Sequence, residues 1–193
     1  GQKYLAGQDV AQDDALAGLL IQIAAERGVA EAQFVLSGLC QAGRGVPQDF
    51  AESIQWQRRA AEQNHVVAQY TLADRLASSQ GAPADSTEAL NWYRRAGENG
   101  HVEAQFKLGC LYQTGQGVEQ DDAEAAQWFH RAAEQCHVDA QHRFAVCCFK
   151  GQGVPQDYAE AAHWTRKAAD QGHLDAAFSL GQLYFHGQGL PKN

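Results

Sequence analysis

The chain has 193 residues, with 15 Lys and Arg against 23 Asp and Glu, and carries a formal net charge of -8. So acidic a chain is unsuited to neutralising nucleic-acid phosphates, and no stretch reaches the roughly 20 apolar residues that span a bilayer. The five Cys, at positions 40, 110, 136, 147 and 148, are odd in number and irregular in spacing, which excludes a disulfide framework. Hydrophobic residues make up 45% of the chain, but they are Ala-rich rather than Val- and Ile-rich, and there are only four Pro, a balance that favours helix over sheet. The chain opens at Gly1 and contains no Met, so it reads as a processed or trimmed product.

In chain order, residues 1–28 read as the second half of a repeat unit, in which Leu20 takes a place held later by Trp56, Trp92, Trp128 and Trp164. Four full copies follow, 29–64, 65–100, 101–136 and 137–172, and 173–193 is the first half of another. The period is 36 residues and needs no gap.

Each full copy predicts two helices. In the third, Val102–Gln113 sets Ala104, Leu108 and Tyr112 on one apolar stripe. Gly115 suits the left-handed residue that ends a helix, and Gly117 allows a second unusual turn dihedral. Asp121 then opens the second helix as N-cap with Glu124 three residues on, and the pair recurs as Asp49/Glu52, Asp85/Glu88 and Asp157/Glu160. This spacing predicts a reciprocal capping box. The second helix carries Ala125, Trp128 and Ala132 on one face, with Ala60, Ala96 and Ala168 in the same column as Ala132. Neither stripe can be buried by its own helix. Pairs stacked copy on copy bury both, so the predicted fold is all-α, a right-handed α-solenoid of antiparallel helix pairs over residues 1–193, with ten to eleven helices.

The run Ala104, Leu108, Gly109, Tyr112, Gly115, Gly117, Val118, Asp121, Ala125, Trp128, Ala132 and Ala133 resembles the Sel1-like repeat, a relative of the tetratricopeptide repeat. The resemblance extends over essentially the whole chain. The 65–100 copy departs most: Ala73 replaces Gly, Leu76 replaces Tyr, Ser79 replaces the first loop Gly and Gly97 replaces Ala. Its loop and the end of its second helix are expected to be the least regular part.

Positions that could carry chemistry mostly read as architecture. His65, His101, His137 and His173 stand at the copy junctions, one per layer, and are expected at helix entries rather than around a metal. Cys40 and Cys148 occupy the Tyr column and are expected to be buried, while Cys110 and Cys147 are the one pair placed to approach each other. The "GQGVPQD" loop lacks the Lys-Ser/Thr end of a phosphate-binding loop. No nucleophile–base arrangement stands out, so neither an enzyme nor a cofactor is expected. Arg58/Arg59, Arg94/Arg95, His130/Arg131 and Arg166/Lys167 form a basic column on the second helices, expected to be a solvated face laced by pairs three and four residues apart.

The copies disagree on the side of the first helices away from the core stripe. There Asp74, Arg75, Lys107, Gln113, Arg143, Val146, Phe149, Lys150, Gln182 and Phe185 form a non-repeating mosaic of charge and aromatic surface. In stacks of this kind the first helices line the concave groove, so these ten are the candidate partner-binding residues, and the expected partner is a protein. The family resemblance implies several uses. One is as a bacterial immunity protein that binds and neutralises a secreted type VI effector such as a phospholipase. Another is as an adaptor or regulator in periplasmic signalling or exopolysaccharide assembly. By the same analogy the expected compartment is the periplasm, with the cytoplasm as the alternative. The cysteine-rich, β-lactamase-like members are set aside, because this chain lacks their Cys lattice.

Overall fold

The computed structural model describes residues 13–78 and 83–189, except the side chains of 83–86. Among the described residues there are ten helices and no strand. They are α1 (Asp14–Glu26), α2 (Ala30–Ala42), α3 (Phe50–Glu62), α4 (Val66–Ser78) and α5 (Pro83–Glu98), then α6 (Val102–Thr114), α7 (Asp122–Glu134), α8 (Val138–Lys150), α9 (Tyr158–Asp170) and α10 (Leu174–His186). The even-numbered helices are the first helices of the copies. The chain divides into two compact units, Gly1–Asn99 and Gly100–Asn193. Within each, a first helix packs on the second helix of its own copy and, less extensively, on the second helix of the copy before. The architecture is an all-α solenoid of helix pairs.

The turns follow from the residues at the helix ends. The first helices α2, α6, α8 and α10 end on a left-handed glycine, with φ of 69° at both Gly115 and Gly151. The second loop glycine has a different task. A Cβ on Gly153 would sit 1.8 Å from the carbonyl oxygen of Asp122, at the start of the preceding copy's second helix, so the backbones of successive copies meet there. Second helices begin as expected at Asp49, Asp121 and Asp157, whose carboxylates accept from the amide of the residue three on.

The other half of the expected capping box is not formed. The backbone N–H of each N-cap Asp donates instead to the end of the first helix: Asp49 to Cys40, Asp121 to Tyr112 and Asp157 to Cys148. With that donor already satisfied, Glu52 and Glu160 turn forward and accept the indole N–H of Trp56 and Trp164, and in the 65–100 copy Glu88 likewise accepts that of Trp92. In the remaining copy the indole N–H of Trp128 is buried without a partner among the described residues.

The Trp column and the column of Ala60, Ala96, Ala132 and Ala168 are buried, as the stripes predict. A buried polar column runs beside them that the apolar stripes did not reveal. Gln33, Gln69 and Gln141 each donate to a carbonyl at the end of the preceding second helix: Ala25, Ala61 and Ala133. Each also accepts from the residue that closes its own copy's second helix: Gln63, Asn99 and Gln171. Both ends of the amide are therefore paired, as burial demands.

In the 65–100 copy the irregularity falls at the beginning of the second helix, not at its end. Helix α5 begins at Pro83 and has 16 residues against 13 in the other helices. Asp85 therefore stands inside the helix rather than capping it; its side chain, like the loop at 79–82, lies outside the described residues. Proline is tolerated in a first turn because its missing N–H would be unpaired there anyway. The end of α5, where Gly97 replaces Ala, is regular, stopping at Glu98 just as α3 stops at Glu62.

Candidate functional site

The junction histidines sit at helix entries, and they do more than the sequence suggests. Nδ1 of His65, His101, His137 and His173 accepts the amide of Ala68, Ala104, Ala140 and Ala176, so each ring is the N-cap of a first helix. Nε2 of His65, His137 and His173 lies 2.9–3.2 Å from Glu31, Glu103 and Asp139 of the preceding copy. A carboxylate can only accept, so the ring proton is on Nε2 in these three. The histidines staple neighbouring copies, and no group of three His, Cys, Asp or Glu among the described residues could hold a metal ion.

The five cysteines are free thiols, Cys110 and Cys147 included. Cys40, Cys147 and Cys148 are buried; burial pushes the Cys147 thiol up to about 11 and that of Cys148 to about 12, far from a reactive thiolate. The basic column is largely exposed, as expected, but its contacts differ from the expected lacing. Arg59, Arg95, Arg131 and Lys167 lie over the rings of Trp56, Trp92, Trp128 and Trp164, at 4.2–4.9 Å from the ring centroids. Arg58 pairs with Glu88 of the next copy rather than with a residue one turn away. The weak local lacing survives as His130–Glu134, at 3.9 Å.

Of the ten candidate partner-binding residues, two lie in the first unit. Asp74 accepts from the hydroxyl of the buried Tyr93. Arg75 donates to the Ser53 hydroxyl and to the Gln41 side chain, and burial lowers its pKa. Both are engaged in holding helix pairs together.

The other eight lie in the second unit, on α6, α8 and α10. Lys107 is exposed and has no ion pair among those described; the same is true of Lys150. Arg143 makes one long bond, 3.4 Å, to Gln113. The ring of Phe149 leans on that of Tyr158, and Phe185 is 85% exposed. Val146, Phe149, Lys150 and Gln182 come together at the wall of a cavity of about 250 Å³ between α8, α9 and α10. Lys107, Gln113, Arg143 and Phe185 lie outside it.

Two lining residues, His142 and Thr165, went unremarked in the sequence, although the signal was there at the same period. The column of Thr165 reads Gln57, Tyr93, Phe129, Thr165, and that of His142 reads Phe34, Tyr70, Phe106, His142. Burial, reinforced by the neighbouring His173, lowers the His142 pKa and keeps the ring neutral near pH 7.

The Sel1 repeat family model matches residues 1–29, 30–65, 66–101, 102–135, 138–173 and 174–193. The structure is similar to that of a protective antigen of uropathogenic Escherichia coli with an SLR fold (31% identity, TM-score 0.85). That likeness covers 100% of this chain but 41% of the other. It is also similar to a Sel1 repeat protein from Oxalobacter formigenes (35% identity, TM-score 0.72), covering 100% of this chain and 77% of that one. An immunity protein from Pseudomonas aeruginosa shares the fold at 24% identity and TM-score 0.50, over 92% of this chain and 65% of its own. A search of curated protein sequences gave no match. With six repeat matches reaching from end to end, the chain belongs to the Sel1 repeat family, whose arrays are protein-interaction scaffolds and typically not enzymes.

Proposed function

We propose that the first-helix face of the second unit binds a protein partner, and that this partner is a secreted bacterial effector, of the type VI class, which the chain neutralises as an immunity protein in the periplasm. The observation that carries the binding part is an electrostatic mismatch. In a chain of net charge -8, Lys107, Arg143 and Lys150 stand on first helices without an ion pair among the described residues, beside Phe149 and an open cavity. The acids at the starts of the same helices, Glu103 and Asp139, are occupied by His137 and His173. Cations left unpaired in this way steer an acidic partner and fix its register, and exposed rings supply the anchors. The immunity part draws on the family resemblance, with the P. aeruginosa protein as an instance of this fold in that role.

The test is co-purification with the product of the adjacent gene at two salt concentrations. Reversing Arg143 and Lys150 to Glu is expected to weaken capture, most strongly at low salt, with little change in Tm. Reversing Arg94 and Arg95 on the second helix of the first unit is expected to leave capture intact, and the opposite pattern would refute the site. Titrating the chain into the partner then separates the roles. Loss of the partner's lipolytic activity supports immunity, whereas capture with activity unchanged replaces it by the adaptor role in signalling or polysaccharide assembly.

A further inference from the structure

We propose that the cavity between α8, α9 and α10 receives one aromatic side chain from an acidic segment of the partner. This rests on the reading of the second unit's first-helix face as a protein-binding surface and names what that surface recognises. The 137–172 copy lacks a ring that the two copies before it carry. In the 65–100 copy the rings of Tyr70 and Tyr93 pack at 6.0 Å over Ala73, and in the 101–136 copy Phe106 and Phe129 pack at 5.9 Å. Gly109 is small because a Cβ there would come within 2.5 Å of the Phe129 ring. In the 137–172 copy the corresponding residues are His142 and Thr165, while Ala145 stays small. The space a second-helix ring fills in its siblings is left open, and Ala145 and Thr165 line it. Of the aromatics this copy gains over the preceding one, Phe144 packs against Trp164 and His130 and is not part of the lining, whereas Phe149 stands at the wall.

Size and charge narrow the occupant. A cavity of about 250 Å³ exceeds the roughly 150 Å³ that holds a benzene ring. It falls below the roughly 300 Å³ at which pockets for whole metabolites begin. One large side chain fits. Val146, Phe149 and Leu183 supply apolar wall and Gln182 a polar one, with Lys150 at the edge; Arg143 stands on the same helix and makes a long bond to Gln113. Carboxylates on either side of an inserted ring would meet these two cations.

The probes are capped pentapeptides Asp-Asp-Phe-Asp-Asp, Asp-Asp-Ala-Asp-Asp and Lys-Lys-Phe-Lys-Lys, titrated at low salt into the full chain and followed by NMR. Burying one ring should make the first bind about 10- to 100-fold more tightly than the second, with the third weakest. Thr165→Tyr, which copies the Ala73/Tyr93 pair, should hold or raise Tm and bring the Phe peptide down to the affinity of the Ala peptide. If that variant is poorly folded, Ala145→Gly with Thr165→Phe copies the Gly109/Phe129 pair and serves in its place. Equal binding of the Phe and Ala peptides, full binding to the filled variant, or no binding of any peptide overturns the proposal. Loss of partner capture in the Arg143/Lys150 reversal, with capture unchanged in the filled variant, overturns the aromatic anchor alone. Capture unchanged in both overturns the binding face as well.

Discussion

The copies 101–136 and 137–172 are nearly the same sentence. They share the His N-cap, the left-handed glycine, the Asp cap and the buried Trp, yet one is packed solid where the other is open. In the first, Phe106, Gly109 and Phe129 form a closed layer, with Phe129 fully buried. In the second, His142, Ala145 and Thr165 line a cavity. The comparison teaches that a repeat array can open a cavity by subtraction: remove one ring from a layer that the preceding copies keep, and the scaffold stays regular around the gap.

The largest expected effect comes from making the closed copy resemble the open one. Phe129→Ala removes a fully buried ring and should cost about 3–5 kcal/mol. Because each repeat touches only its neighbours, hydrogen exchange should loosen most around 101–172. Uniform loosening from residue 13 to 189 would break the layer-by-layer comparison.

The residues that close the two copies come next. Cys136 and Gly172 occupy the same position and both have positive φ, 65° and 88°. Gly172→Ala meets no atom within 4 Å, so the backbone alone decides, and the loss should be on the order of 1 kcal/mol by thermal denaturation. Cys136→Gly should gain roughly 0.5–1 kcal/mol, since relief of left-handed strain exceeds the added freedom of the unfolded chain. Equal and opposite signs support a common turn; a loss in both variants would show that Cys136 packs in a way Gly172 does not.

The smallest expected effect is in the pH profile. Burial, with His173 adding to it, lowers the His142 pKa below its ordinary 6.5. Between that lowered value and 6.5 the unfolded chain binds the proton and the folded chain does not. This group's contribution to stability is therefore whole above about 6.5 and lost as pH falls through that window. His142→Phe, which restores the residue of the closed copy, should flatten the fall in Tm between pH 7.5 and pH 5.5. An unchanged slope would show that His142 does not set the acid sensitivity of the fold.

Much of this was legible in the residues. The period, the helix pairs, the Asp caps, the left-handed glycines and the buried Trp and Ala columns all follow from local preference and apolar spacing. Where the reading failed, a local rule met a competitor from another part of the chain. Glu52 and Glu160 were free to turn to Trp56 and Trp164 because the N-cap amides of Asp49 and Asp157 already served Cys40 and Cys148. The basic column is largely exposed, as read, but its local pairing rule missed the tryptophan rings, because an arginine three residues on lies over the indole of its own helix. Asp74 and Arg75 looked free for a partner and are spent inside the first unit, on Tyr93, Ser53 and Gln41.

The sequence by itself determined that this chain is a stack of helix pairs, because a stripe of apolar residues at helical spacing, repeated at a constant interval, can be buried only against its own copies. It also determined which faces were free to vary. Only the tertiary structure decided which varying residues meet. Thr165 and Ala145 are 20 positions apart on separate helices, and His142 and Gln182 are 40 apart; a cavity belongs to the space between side chains and to no one of them. That Lys107 and Arg143 have no ion pair among the described residues depends likewise on where the carboxylates one turn back on their own helices have gone, and that was set by the histidines that hold Glu103 and Asp139 at the junctions of the copies.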